Sequence, residues 1–144
     1  MTDRPESNYR VAEIVLRLLV VAGLTVDAYV HVDSAHGYAV GFGTGWFTGQ
    51  TLFLIEAGVA SFAALMVLVT GARIAYAFAF LVAASAFGAV MLYRYVNVGK
   101  LGPIPNLYEP IWFTQKTVSA IAEAVALVAA AIGVVLPRGS RRLR

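Results

Sequence analysis

The chain contains no cysteine. That excludes disulfides, thiolate metal sites and a CxxC redox relay. Charge is also scarce: 13% of the 144 residues are Asp, Glu, Lys or Arg, against about a quarter in soluble domains. Of the two histidines only His31 falls in an apolar segment, so no two-histidine haem b pattern exists within those segments. Walker-type loops, G-x-S-x-G and H-E-x-x-H are all missing. Gly41-Phe42-Gly43 with Gly45 is not a dinucleotide fingerprint, because no strand–helix unit surrounds it. These absences lean against an enzyme, and no cofactor is named by any motif.

What remains is apolar. Hydrophobic residues make up 60% of the chain, and the mean hydropathy is +0.76. Four long apolar segments stand out, at about residues 11–31, 51–69, 74–95 and 117–136. Each has roughly the 20 residues needed to cross a hydrocarbon core about 30 Å thick. Strands of this length without period-2 alternation would leave backbone groups unpaired in lipid, so the segments are expected to be helices. The expected fold is therefore all-α: an integral membrane antiparallel four-helix bundle, with residues 1–144 as one membrane domain. Residues 1–9 read as a polar tail, residues 33–49 and 97–116 as outer loops, and Pro137 as the end of the fourth helix. The first segment reads as a retained span, because Asp27 falls where a small-residue cleavage site would follow a signal sequence.

Basic residues set the orientation. Arg4, Arg10, Arg73, Arg138, Arg141, Arg142 and Arg144 lie on one side and Lys100 and Lys116 on the other, which places both termini in the cytoplasm. The C-terminal arginines, which supply much of the net charge of +3, read as a topology signal or a grip on anionic headgroups of the bilayer, not as a nucleic-acid site. Trp46, Tyr95, Tyr108 and Trp112 suit an interfacial aromatic belt. Ala75, Ala79 and Ala83, and likewise Ala122, Ala126 and Ala130, recur every four residues and would allow close helix contact, with a membrane-protein partner or homo-oligomer among the possibilities.

The few ionisable residues inside the segments are the functional signal, since such groups are costly unless they face one another, water or a ligand. On the first span Glu13, Arg17, Val20, Leu24, Asp27 and His31 are spaced 4, 3, 4, 3 and 4, so they form one stripe. Glu13 and Arg17 read as a local ion pair near the cytoplasmic end. Asp27, Glu56 and Glu123 all fall roughly 7–10 Å beneath the outer surface at 1.5 Å per residue, with His31 and Arg94 slightly above. These five residues are expected to face one another inside the bundle, with Arg94 paired to at least one acid. Tyr108, Trp112 and Phe113 in the Pro-rich outer loop would form a lid. Three carboxylates sharing Arg94, Lys116 and a histidine leave excess negative charge, which calls for a protonated acid, a bound cation or water. A structural salt-bridge network is the plain alternative. As a metal site, Asp27 and His31 at i, i+4 with Glu56 and Glu123 would suit zinc, manganese or iron. They lack the paired Glu-x-x-His motifs of di-iron bundles, so the metal is left open. His36, near Asp33 in the outer loop, reads as solvated.

Tyr29-Val30-His31 closes the first span and Thr51-Leu52-Phe53-Leu54-Ile55-Glu56-Ala57 opens the second. A third stretch holds Leu92-Tyr93-Arg94-Tyr95-Val96-Asn97-Val98-Gly99-Lys100-Leu101-Gly102-Pro103-Ile104-Pro105-Asn106-Leu107-Tyr108-Glu109-Pro110. On these residues the chain resembles small four-span membrane proteins of actinobacteria, a family that supplies no activity to transfer. In size and architecture it is also similar to DoxX-like membrane proteins, a likeness of fold alone. Three functional classes follow: a non-enzymatic accessory subunit of a membrane complex, a small cation- or proton-linked transporter, and a quinone- or lipid-handling enzyme.

Overall fold

A computed structural model of the chain describes residues 4–39 and 46–136. Arg138, Arg141, Arg142 and Arg144, Pro137 and the glycines at 41, 43 and 45 lie outside the described residues. Four helices make up most of what is described: α1 (Arg4–Ser34), α2 (Gly49–Thr70), α3 (Arg73–Tyr95) and α4 (Thr114–Val135). A short 3-10 turn, Ala35–Tyr38, follows α1. The helix ends fall close to the apolar segments, except that α1 begins at Arg4, inside the stretch read as a polar tail. Three of the helices, α2, α3 and α4, are long and apolar enough to cross a membrane.

Local chemistry explains the boundaries. Thr48 caps α2, its hydroxyl accepting the Thr51 backbone N–H at 3.1 Å, which satisfies one of the orphan donors of the first turn. Gly71 ends α2 with φ +55°, a left-handed conformation that costs glycine little. Only Gly71 and Ala72 separate α2 from α3. The Arg17 guanidinium lies against Gly71 and donates to Glu13 at 3.0 Å and to the Leu68 carbonyl at 3.5 Å. The Glu13–Arg17 pair therefore also fastens α1 to the end of α2.

The helices form a ring. α1 packs on α2 and α4, and α3 packs on α2 and α4. The core is built from small residues: Ala60, Ala63, Ala75, Ala79, Ala83, Ala126 and Ala130 are all fully buried, with Val20, Leu24, Val67 and Tyr76 between them. The alanine faces of α3 and α4 are thus used inside the bundle and are not free for another protein. Two glycines mark the closest approaches. A Cβ at Gly23 would sit 2.7 Å from the Ala122 carbonyl oxygen and 3.0 Å from the Ala126 Cβ, and one at Gly133 would collide with the Tyr76 ring. The outward faces are apolar on all four helices, with Ile14, Leu18 and Val26 of α1, Phe62 and Leu65 of α2, Ile74 and Leu81 of α3, and Ile121 and Val128 of α4 exposed.

Candidate functional site

Asp27 lies one turn beyond Gly23 on the same face of α1. Where α1 meets α4 it faces Ser119 and Glu123, which are themselves one turn apart. Both carboxylates are 0% exposed. The Ser119 hydroxyl oxygen lies 2.8 Å from Asp27 Oδ1 and 2.8 Å from Glu123 Oε1. His31, one turn beyond Asp27, directs Nδ1 at the same Asp27 Oδ1, 2.9 Å away, and at the Asp27 backbone oxygen, 3.0 Å away. The stripe on α1 thus brings Val20, Leu24 and Asp27 into the interior, and Asp27, His31 and Glu123 form one connected network.

The network contains more contacts than Ser119 can serve alone. A hydroxyl has one hydrogen to donate, yet two carboxylate oxygens stand at hydrogen-bond distance from it. One hydrogen cannot serve both contacts fully, so either the Ser119 hydroxyl is shared between the two oxygens or one carboxyl group carries a second hydrogen. Asp27 Oδ1 also faces His31 Nδ1, so if a second hydrogen is present, Glu123 is the group placed to donate it to Ser119. Two further oxygens, Asp27 Oδ2 and Glu123 Oε2, are buried without a hydrogen-bond partner.

Donor atoms of Asp27, His31 and Glu123 all lie within 4.8 Å of one another. That approach is close enough for the three to be drawn onto one ion, and Ser119 stands between the two carboxylates.

The remaining site residues divide. Glu56, half-buried, forms no hydrogen bond among the described residues, and its Oε1 is buried without a partner. Arg94 is not part of the network and pairs with no acid among the described residues. Its guanidinium lies over the Tyr95 ring at 4.9 Å and the Trp112 ring at 5.7 Å. The expected Arg94–carboxylate pair is therefore corrected: equal depth places residues at one height but not on one side of the ring, and Arg94 ends α3, which packs on α2 and α4. Lys116 is likewise taken elsewhere, pairing with Glu109 at 3.3 Å and donating to its backbone oxygen at 2.7 Å.

The loop between α3 and α4 is anchored through Glu109, a residue the sequence reading passed over. Glu109 accepts the Tyr38 hydroxyl at 2.6 Å, and its backbone N–H donates to the Tyr93 carbonyl at 3.0 Å. Tyr38 stacks on Phe53 at 4.2 Å, and Phe53 meets His31 at 5.0 Å. A continuous path of contacts therefore joins the loop to the buried network. Burial, and then the bond to Glu109, pushes the Tyr38 phenol above its ordinary value of 10.0. Of the three aromatic residues expected as a lid, Trp112 lies over Arg94, Phe113 lies 5.1 Å from the Lys116 ammonium, and Tyr108 is half-buried with its backbone N–H on Asn106.

Comparison with known proteins finds no matching family model, no matching curated protein and no matching solved structure. Any functional conclusion therefore stands on the site itself.

Proposed function

We propose that the chain is a four-span membrane protein whose helices run antiparallel, with both termini in the cytoplasm. In it the Asp27–Ser119–Glu123–His31 network holds an exchangeable proton, as in a small proton-linked carrier. The apolar outward face supports the membrane assignment, because contiguous exposed apolar surface on every helix needs lipid or another apolar partner to cover it. Contacts between Arg17 in the first half of α1 and Leu68 near the end of α2, and between Asp27 late in α1 and Ser119 early in α4, fit antiparallel neighbours. The bilayer is then the principal partner.

The observation that carries the functional reading is Ser119, one hydroxyl between two carboxylates that are sealed from solvent. Ionisable groups in a membrane interior mark proton or ion pathways more often than they mark scaffolding. The accessory-subunit reading drew on alanine faces that are buried within the bundle. The quinone- or lipid-handling reading has an apolar groove of about 430 Å³ between α1 and α2, lined by residues such as Val21, Thr25, Ala28, Ser61 and Leu65. No carboxylate or imidazole lines that groove, so it offers no acid–base chemistry to a substrate.

Infrared difference spectroscopy tests the proton. Wild-type protein in liposomes should show a carboxylic-acid C=O stretch that shifts in D2O, and Glu123→Gln should abolish it. A wild-type spectrum without that stretch refutes the reading.

A further inference from the structure

Arg94 poses a separate problem. It is half-buried in the last turn of α3, and its Nε is sealed from solvent with no acceptor. Among the described residues no carboxylate pairs with it. Two aromatic faces hold the guanidinium, but aromatic rings satisfy its charge without accepting its N–H groups in the manner of an oxygen. A buried guanidinium N–H without an acceptor is costly, and more so near a membrane, where water is scarce.

The surroundings are built and fixed. Tyr95 comes from α3 itself. Trp112 comes from the outer loop, whose position is set by the Glu109 N–H on the Tyr93 carbonyl and by the Glu109 side chain between Tyr38 and Lys116. Tyr95 and Trp112 are both exposed. The result is a cation lying over two aromatic rings at the end of an apolar helix, its Nε sealed by the protein and its two terminal NH2 groups left for a ligand.

We propose that Arg94, Tyr95 and Trp112 form a binding site for the phosphodiester of an anionic phospholipid. Arginine presents donors in a fork that matches two phosphate oxygens. Tyrosine and tryptophan are the side chains that sit at headgroup level, with the ring in the acyl boundary and the polar edge toward water. The end of a membrane-length helix places the site at that level, so the lipid headgroup is the source of the phosphate. This inference rests on the membrane assignment and is independent of the proton network.

The chain has two tryptophans, so Trp46→Phe leaves Trp112 as a reporter inside the site. In mild detergent, phosphatidylglycerol should shift Trp112 emission and saturate. R94Q should bind about tenfold more weakly, as expected for loss of a charge-assisted hydrogen-bonded pair. R94K, which keeps the charge but loses the fork, should bind several-fold more weakly and carries the test if R94Q does not fold. Equal binding by wild type and either variant overturns the proposal. A matching response to inorganic phosphate overturns the lipid source, and a matching response to phosphatidylcholine overturns the requirement for an anionic lipid. Reporter fusions at residue 144 and within residues 37–45 should report opposite sides of the membrane. If they report the same side, it is the membrane assignment that falls, whatever Trp112 shows.

Discussion

Replacing Ser119 by alanine and Glu123 by glutamine should have very different costs, and the contrast reads out the protonation of the network. In Ser119→Ala, Asp27 Oδ1 loses one of its two side-chain donors and keeps His31, while a Glu123 hydroxyl, on the shared-proton reading, loses its acceptor. Both carboxyl groups are fully buried, so water does not replace the missing partner. Leaving a buried polar group unsatisfied costs about 1–3 kcal/mol. With one group wholly and one partly deprived, the expected loss is about 2 kcal/mol, in the sense of that same range. In Glu123→Gln, the side-chain amide has nearly the shape of a protonated carboxyl, and its N–H donates to Ser119 as the acid does. The expected change is below about 1 kcal/mol in either direction. Reversible unfolding in mixed detergent, followed by circular dichroism, measures both. A Glu123→Gln variant that is strongly stabilised would mean two ionised carboxylates relieved of repulsion. One destabilised as much as Ser119→Ala would mean a Glu123 charge held by something other than a proton. Either result refutes the shared proton.

Two further outcomes follow from the packing and the loop. Gly23→Ala should destabilise the bundle by about 1–3 kcal/mol through overpacking against Ala122 and Ala126. Gly88→Ala, at a helical site with open space around it, should be neutral or gain up to about 1 kcal/mol of helix propensity, and paired thermal melts check the contrast. The Tyr38 phenol, held above 10.0 by burial and by Glu109, should ionise later than an ordinary tyrosine. Because the folded value is the raised one, this contribution is full below pH 10 and is lost as the pH climbs beyond it. Difference absorbance of wild type against Tyr38→Phe isolates the transition, and Glu109→Gln should move it part of the way back; an unmoved transition would remove Glu109 from the account.

Much of the fold was legible because helix length in lipid is a strong constraint. Four apolar runs of about 20 residues permit few arrangements, and the described helices fall on them, although only α2, α3 and α4 are long and apolar enough to cross a membrane. The stripe on α1 was legible for the same kind of reason, since 3.6-residue periodicity puts Val20, Leu24 and Asp27 on one face. Azimuth around the bundle was not. Counting residues from the helix ends gives height, which grouped Arg94 with the acids, but nothing in the count says which way the end of α3 turns. Ser119 was missed because a serine among alanines reads as a small packing residue; its spacing of four from Glu123 was the available signal. The tie between Tyr38 and Glu109 joins residues 71 apart in the chain, and no local pattern announces such a pair.

The small residues and the buried acids, read separately from the sequence, belong to one device. Aspartate has a short side chain, and Asp27 reaches Ser119 at 2.8 Å only if the backbones of α1 and α4 come close. Gly23, one turn before Asp27, allows that approach by leaving no Cβ against the Ala122 carbonyl, and Ala122 and Ala126 flank Glu123 on the opposing helix. A methyl group at residue 23 therefore acts on more than packing. It presses the helices apart beside the network, and a hydrogen bond near 2.8 Å weakens steeply when its atoms separate by even part of an ångström. Gly23→Ala should accordingly alter the carboxylic-acid stretch of Glu123 although residue 23 carries no polar side chain, whereas Gly88→Ala should leave it unchanged. A Gly23→Ala variant that loses stability with an unaltered stretch would separate the packing of α1 on α4 from the holding of the proton.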